Sequence, residues 1–160
     1  MERAFYGCSY GTTVKEIIST EELMQKCMGS FFFRKETMSM KKVFISMPMN
    51  GHTNEYIEAR RTEIANILPE LLGEEIEIID SFFKDAPYDA KPLYFLGESL
   101  KLLSTADVAY FDTGWELARG CQIEHKCAVN YDIEKVIEAS VDDGEIELFA
   151  NGDYIATIPG

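Results

Sequence analysis

The sequence predicts an α/β fold, with a small doubly wound parallel sheet, an N-terminal extension and a C-terminal β-hairpin. Between residues 41 and 138, short β-rich runs alternate with segments in which apolar residues recur at helical spacing. Helical crossovers between successive strands favour a parallel sheet with helices on both faces. Near the C-terminus, an Asn-Gly pair between two further β-rich runs predicts a hairpin turn.

Chain length and net charge restrict the number of domains and the class of binding partner. A chain of 160 residues is long enough for one domain with a real core and too short for two ordinary domains. Its 28 acidic residues against 15 Lys and Arg give a net charge of -13, which repels polyanions at long range. We therefore expect no nucleic-acid polymer as a partner, although a local arginine or a helix N-terminus can still hold a small anion. The predicted parts are an extension at 1–39, an α/β domain at 40–138 and a hairpin at 139–160.

Cysteine usage and hydropathy predict a soluble, cytoplasmic protein. The four cysteines form no C-x-x-C pair, and no charged-then-apolar leader is present at the N-terminus. We therefore expect reduced thiols. No apolar run approaches the roughly 18 residues that a membrane-spanning helix needs, so we expect no membrane partner.

The N-terminal extension differs in composition from the rest of the chain. A short helical pattern opens with the capping box Ser19-x-x-Glu22 and ends at Gly29. Met38 and Met40 stand just before the first predicted strand. The extension is therefore either an appended element or the product of an upstream start codon.

The alternating domain begins with one strand and one helix. The β-rich run at 43–47 predicts the first strand, and Asn50-Gly51 supplies a turn after it. Helical spacing of apolar residues then follows the capping pair Thr53-Asn54 and ends at Gly73.

The same order is repeated along the next part of the chain. The run at 76–79 predicts a second strand, and Pro92 suits the first turn of a helix that reaches about Thr105. Three further elements are predicted, which are a strand at 108–111, a helix from Glu116 or Arg119 to Tyr131, and a strand at 135–137. This order is typical of flavodoxin-like and Rossmann-like folds.

The last residues predict a hairpin that needs a surface to cover. Runs at 145–150 and 153–158 flank Asn151-Gly152, the dipeptide best suited to a type I′ turn. An isolated two-stranded ribbon is marginal in water, so it must pack on the domain, on the extension or on another subunit. Because small domains gain from added interfaces, we expect a homo-oligomer. A partner, or the Phe31–Phe33 segment, would then cover the apolar residues Ile146, Leu148, Ile155 and Ile158.

One edge of the predicted sheet collects the polar residues. Ligands of such sheets bind beyond the carboxyl ends of the strands, where the strand order reverses. Gly114 and Gly120 relax the backbone where the third strand gives way to a helix, and Glu124 lies one turn inside that helix. For an arbitrary helical glutamate, a solvated carboxylate is the ordinary interpretation. The loops at this edge are 47–53, 80–91 and 112–119.

Three motifs in this domain resemble nucleoside 2-deoxyribosyltransferases. They are Ile-Ser-Met-Pro-Met at 45–49, Leu-Leu-Ser-Thr-Ala-Asp at 102–107 and Gly-Cys-Gln-Ile-Glu-His-Lys-Cys-Ala at 120–128. The pattern Gly-Trp-x-x-Ala-Arg-Gly-Cys-x-Ile-Glu-His is similar, more specifically, to an uncharacterised deoxyribosyltransferase-like family of bacteria and their phages. The resemblance implies hydrolysis or transfer at the N-glycosidic bond of a nucleoside or nucleotide, with Glu124 matching the nucleophile. It also implies a homo-oligomer, because related transferases complete their sites with a neighbouring subunit.

The sequence departs from the characterised enzymes at two supporting positions. The enzymes carry a Tyr where this chain has Phe44, and an Asp where it has Ser99. The adjacent Glu98 is a candidate for the missing acid, although neighbouring helical residues point about 100° apart. Asp112 fits the position that orients catalytic groups in the family. These departures leave open a non-catalytic module that senses or sequesters a nucleotide.

Further candidate contacts surround Glu124. Arg119 stands at a helix start, which suits a 5′-phosphate, and the alternative is a surface ion pair with Glu116. Trp115 suits stacking on a base, and the alternative is a core anchor. The other candidate substrate-binding residues are Ser46, Met47, Pro48, Asn50, Ser99, Gly114 and Gly120.

A metal site is not expected. His125 and Cys121 lie one helical turn apart, but two ligands do not close a site and no other His is near in sequence. The sequence therefore predicts neither a metal nor another cofactor.

Overall fold

The computed structural model describes residues 40–83 and 89–159. Several sequence predictions lie outside these residues: the extension at 1–39 with its helical pattern, the Phe31–Phe33 segment, and the part of the second loop that contains Pro87 and Tyr88. Within the described ranges, no helix is long and apolar enough to cross a membrane.

The described residues form six strands, three α-helices and one short 3₁₀ turn. In chain order these are β1 (Lys41–Ser46), α1 (Asn54–Leu72), β2 (Ile76–Ile78), α2 (Pro92–Leu103), β3 (Val108–Phe111), the 3₁₀ turn (Trp115–Leu117), α3 (Arg119–Asn130), β4 (Lys135–Asp142), β5 (Glu145–Ala150) and β6 (Asp153–Pro159). Strands and helices alternate from β1 to β4 as the sequence predicts. The third helix begins at the later of the two predicted starts, because the 3₁₀ turn occupies the earlier one.

All six strands belong to one mixed sheet with the order β2-β1-β3-β4-β5-β6. The first four strands in this order run parallel to one another. β5 and β6 are added to β4 as an antiparallel hairpin. The α/β class and the C-terminal hairpin are therefore confirmed.

Both ends of α1 have the structures that their residues predict. Thr53 is the N-cap, and its hydroxyl accepts a hydrogen bond from the Tyr56 N–H at 3.3 Å, which satisfies a donor of the open first turn. Gly73 ends the helix with φ 67°, a left-handed conformation that glycine adopts without steric cost. Its N–H donates to the Pro69 carbonyl at 2.9 Å.

Two hydrophobic cores lie on opposite faces of the sheet, because successive side chains of a strand point to opposite sides. Val43 and Ile45 of β1 share one core with Ile64 of α1. Phe44, between them in sequence, shares the other core with Leu103 of α2 and Ala128 of α3. α1 therefore covers one face, and α2 and α3 cover the other.

The hairpin continues the sheet of its own chain. β4 runs well past the predicted end at Ile137, and its whole second half pairs with β5. Ile146 and Leu148 are 4% and 0% exposed and share the core that contains Ile64. Of the three surfaces predicted for the hairpin, the domain itself covers these two residues, because an extended β4 gives the hairpin a strand to pair with. The homo-oligomer itself stays a prediction.

Replacing Leu148 by alanine should destabilise the protein, because the side chain is fully buried and its loss leaves a cavity. We expect Leu148→Ala to lower the free energy of unfolding by about 2–5 kcal/mol, measured by urea denaturation. Val141→Ala is the matched control on the same sheet, since Val141 is 61% exposed. Equal effects of the two substitutions would show that the hairpin adds little to the core.

Candidate functional site

A cleft of about 1260 Å³ opens at the carboxyl ends of β1, β2 and β3. The strand order reverses there, since α1 leads from β1 outward to β2 and α2 returns the chain to β3 on the other side of β1. Reversals of this kind leave a crevice between the loops that leave neighbouring strands. The walls come from the loop after β1, residues 81–83 after β2, and residues 113–120 after β3.

Glu124 lines this cleft and is the one carboxylate among its described lining residues. It belongs to α3, where Cys121, Glu124 and Ala128 form the buried face. Their spacing of three and four residues puts them on one side of a helix. The helix ends at Asn130, one residue before the predicted end at Tyr131, and the Tyr131 side chain is exposed.

Two serines bind the Glu124 carboxylate. The Ser46 hydroxyl, at the end of β1, donates to Oε2 at 2.6 Å. The Ser99 hydroxyl, in α2, donates to Oε1 at 2.5 Å. All three side chains are buried. One carboxylate therefore joins three separate elements of the fold.

Burial raises the pKa of Glu124 above its ordinary value, and the hydrogen bonds from Ser46 and Ser99 oppose this rise. Burial disfavours the charged form because the carboxylate loses its hydration, whereas donated hydrogen bonds favour it. No ion pair reaches Glu124 from the described part of the chain. The charge of this carboxylate thus depends on hydroxyl donors rather than on a neighbouring cation.

Cys121 lies beside this group and also lines the cleft. Burial raises the pKa of its thiol to about 11. Because the thiolate is the reactive form of cysteine, a protonated thiol is a poor nucleophile at neutral pH. Cys121 therefore fills space next to Glu124 and does not compete with it chemically.

Most of the predicted substrate-binding residues do line the cleft. Gly114 has φ 77°, a left-handed conformation that favours glycine, so the turn after β3 makes use of this residue. Gly120 does not supply the backbone freedom that the sequence predicted, because it lies in the regular first turn of α3. The predicted residues that line the cleft are Ser46, Met47, Pro48, Asn50, Ser99, Gly114, Arg119 and Gly120.

Arg119 is the first residue of α3 and stands exposed at the cleft. Among the described residues it makes no ion pair, so the alternative pair with Glu116 is absent. A guanidinium at a helix start, where backbone N–H groups also point outward, suits an anionic group of a ligand.

Asp112, predicted to orient catalytic groups, is not among the described residues that line the cleft. The Arg60 guanidinium binds its carboxylate through two hydrogen bonds, Nε to Oδ2 at 3.0 Å and Nη2 to Oδ1 at 2.8 Å. The cause is strand alternation, which turns Tyr110 and then Asp112 toward α1, whereas Phe111 faces the side of α3.

Glu98 and Trp115 also lie away from the cleft. Glu98 pairs with Lys101 at 2.6 Å, since its place next to Ser99 turns it off the buried face of α2. The Trp115 ring stacks on His125, with ring centroids 4.1 Å apart, and packs against the core near Phe111. The alternative interpretation of Trp115 as a core anchor fits this position.

Sequence reasoning missed two features of the site. One is an aromatic wall formed by Phe82, Phe83 and Phe95, for which the Phe-Phe pair in the loop after β2 was the available signal. The other is Arg60, whose partner Asp112 lies 52 residues away in the sequence. No local pattern reveals a partner at that separation.

Comparisons with known proteins leave the geometry as the main guide to function. No family model matches the chain, and no match was found among curated proteins or solved structures. Functional inference therefore depends on the arrangement around Glu124 and on the resemblance of the motifs that carry it.

Removing one serine should raise the pKa of Glu124 further, because the ionised form loses a hydrogen-bond donor. We expect this for Ser99→Ala, measured by a ¹³C NMR titration of the Glu124 carboxyl carbon, with Ser104→Ala at the exposed end of α2 as the control.

The sign of the stability effect follows from the raised pKa. A glutamate whose pKa is raised on folding contributes full stability below the ordinary value of 4.5, and this is lost as the pH rises through the raised value. In Ser99→Ala the pKa of Glu124 in the folded protein is higher still. The free energy of unfolding of this variant should therefore keep falling with rising pH over a wider pH range than that of the original protein. A Glu124 titration that is unchanged in Ser99→Ala would contradict the assigned hydrogen bond.

Proposed function

We propose that the cleft binds a nucleoside or nucleotide and cleaves its N-glycosidic bond, with Glu124 as the nucleophile. The observation that carries this proposal is the buried Glu124 carboxylate, bound by Ser46 and Ser99 in an otherwise largely apolar cleft. The resemblance of the Glu124 motif to that of nucleoside 2-deoxyribosyltransferases supports the same assignment.

We also propose that the fold is a small doubly wound sheet of the flavodoxin or Rossmann kind. Its support is the parallel order β2-β1-β3-β4, with α1 on one face and α2 and α3 on the other. In such folds the reversal of strand order is the usual ligand site, and Glu124 lies there.

The proposed reaction has two steps. In the first, a Glu124 oxygen forms a bond to the sugar carbon that carries the base, and the carbon–nitrogen bond breaks. Its electron pair leaves with the base, which takes up a proton from solvent. In the second, water bonds to the same carbon, frees the Glu124 carboxylate and releases a proton. A second base in place of water gives transfer instead of hydrolysis.

The serines have a defined part in this chemistry. Each carboxylate oxygen has more than one acceptor position, so a hydrogen bond from a serine leaves a lone pair for attack. Ser46 and Ser99 orient the carboxylate from two sides, and they stabilise its charge when the ester breaks. A group held in one orientation loses less entropy on the way to the transition state.

The cleft also suits the rest of a nucleotide. Its volume of about 1260 Å³ exceeds the roughly 300–1000 Å³ of most small-molecule sites. Phe82, Phe83 and Phe95 offer apolar faces to a base, in place of Trp115. Arg119 offers the positive charge for a 5′-phosphate.

A non-catalytic nucleotide-binding module is the second candidate. One observation supports it: among the described residues that line the cleft, Glu124 is the one carboxylic acid. No second acid of this lining can therefore protonate a departing base. The two functions are separated by incubating the protein with 2′-deoxynucleosides and their 5′-monophosphates. Free base on a chromatogram supports the enzyme, whereas binding measured by calorimetry without free base supports the module.

Replacing the proposed nucleophile should abolish turnover. We expect Glu124→Gln to reduce the rate of base release by about a thousandfold or more, because the covalent route is lost. Glu98→Gln is the matched control, since Glu98 lies outside the cleft, and its rate should stay near the original. If Glu124→Gln folds and keeps a near-original rate, Glu124 is not the nucleophile.

Arg119 should distinguish nucleotides from nucleosides. We expect Arg119→Ala to weaken binding of a 2′-deoxynucleoside 5′-monophosphate by about 1.5–3 kcal/mol, the range for a charge-assisted hydrogen bond. Binding of the matching nucleoside should change little, and the exposed Lys126→Ala in the same helix controls for net charge. Calorimetry measures both, and equal losses for the two ligands would assign Arg119 a structural role.

A further inference from the structure

Two consecutive arginines in α1 bind the carboxyl edge of the sheet from different sides. Arg60 holds both oxygens of the Asp112 carboxylate, and only 14% of its side chain and 4% of that of Asp112 are exposed. Two parallel hydrogen bonds between a guanidinium and a carboxylate fix direction as well as distance. Arg60 therefore fixes the start of the loop that follows β3.

Arg61 binds the ends of the other two strands. Its Nη1 donates to the Ile45 carbonyl at 3.2 Å and to the Ser81 hydroxyl at 3.0 Å, and its Nη2 donates to the Ile79 carbonyl at 3.0 Å. The Ser81 hydroxyl also donates to the Ile45 carbonyl, at 3.1 Å. One guanidinium thus joins the end of β1 to the segment that follows β2.

Arg61 makes these bonds at an energetic disadvantage. Burial lowers its pKa, and no described carboxylate forms an ion pair with it. The charge of Asp80 opposes this shift in part. A buried cation whose hydrogen-bond partners are all neutral is nevertheless costly. The benefit is geometric, because the planar fork of arginine reaches three acceptors on two chain segments at once.

Both arginines reach the neighbours of Ser46. Arg61 binds the carbonyl of Ile45, the residue before it. Arg60 binds Asp112, whose backbone N–H donates to the Ser46 carbonyl at 2.9 Å. The Ser46 hydroxyl in turn donates to Glu124. The backbone of Ser46 is therefore held on both sides by contacts that begin at the two arginines.

We infer that Arg60 and Arg61 are positioning residues that fix the end of β1, and through Ser46 set the orientation of the Glu124 carboxylate. The expected effect on catalysis rests on the proposed function. The expected effect on the orientation of Glu124 rests on the contacts alone. Neither arginine lines the cleft, so both act through other residues. One helix therefore binds the last part of β1, the segment after β2 and the start of the loop after β3.

The test uses substitutions that retain the charge and remove the fork, Arg60→Lys and Arg61→Lys in the full chain. The first readout is the ¹³C NMR titration of the Glu124 carboxyl carbon, which needs no substrate. We expect the pKa of Glu124 to rise in both variants, because Ser46 no longer donates at its original distance. Glu63→Gln is the matched control, since it removes only the exposed partner of Arg60.

The second readout is turnover of the 2′-deoxynucleoside or 5′-monophosphate that releases base fastest. We expect kcat to fall by about 10- to 100-fold, the cost of a small misplacement of a reacting group, while KM changes less than about threefold. A general loss of structure would instead lower the fraction of active protein without moving the Glu124 titration of the folded part.

The outcomes separate this inference from the proposed function. If the pKa of Glu124 shifts in the variants but neither they nor the original protein release any base, the positioning role is retained and the proposed enzymatic activity is rejected. An unchanged titration and kcat in folded variants overturns the positioning role. If Arg60→Lys fails to fold, Asp112→Asn, which weakens the Arg60 contact and keeps the side-chain shape, is measured in the same way with the same two outcomes. If Arg61→Lys fails to fold, Ser81→Ala, which removes one acceptor of Arg61, takes its place.

Discussion

A buried carboxylate needs donors to replace the water that it loses, and Glu124 imposes that requirement on the whole carboxyl edge of the sheet. Its two donors come from β1 and α2, while the carboxylate itself comes from α3. These three elements must dock in one register for both hydrogen bonds to form. Because removing one partner of a buried polar pair costs more than the pair contributes, the arrangement tolerates little displacement.

Much of the fold is predictable because its signals are local. Thr53 and Gly73 cap the two ends of α1, and Asn151-Gly152 forms the tight turn of the final hairpin. Each of these features depends on residues that are close in sequence. The extension of β4 to Asp142 is not predictable in this way. Its last three residues, Ser140, Val141 and Asp142, are exposed, and they become part of the strand because β5 supplies the pairing partner.

In the candidate site, too, the residues with a local sequence signal are predictable and those with distant partners are not. Ser46, Ser99 and Glu124 occupy motif positions, so the sequence indicates that they belong to one site. Asp112 and Glu98 do not line the cleft, because the direction of a side chain depends on strand alternation and helix rotation, and an offset of one residue turns it to another side. Arg60 and Arg61 carry no motif, and only the folded chain brings their partners within reach.

The strand order also governs how copies of this protein can associate. Sheets present open backbone groups at their two outermost strands, and continuous pairing through such edges leads to fibres. Here β2 offers only three residues at one edge, and β6 at the other edge ends in Pro159, which has no N–H to donate. With a net charge of -13 opposing close approach of two copies, the two edges of the sheet disfavour strand-to-strand growth into fibres.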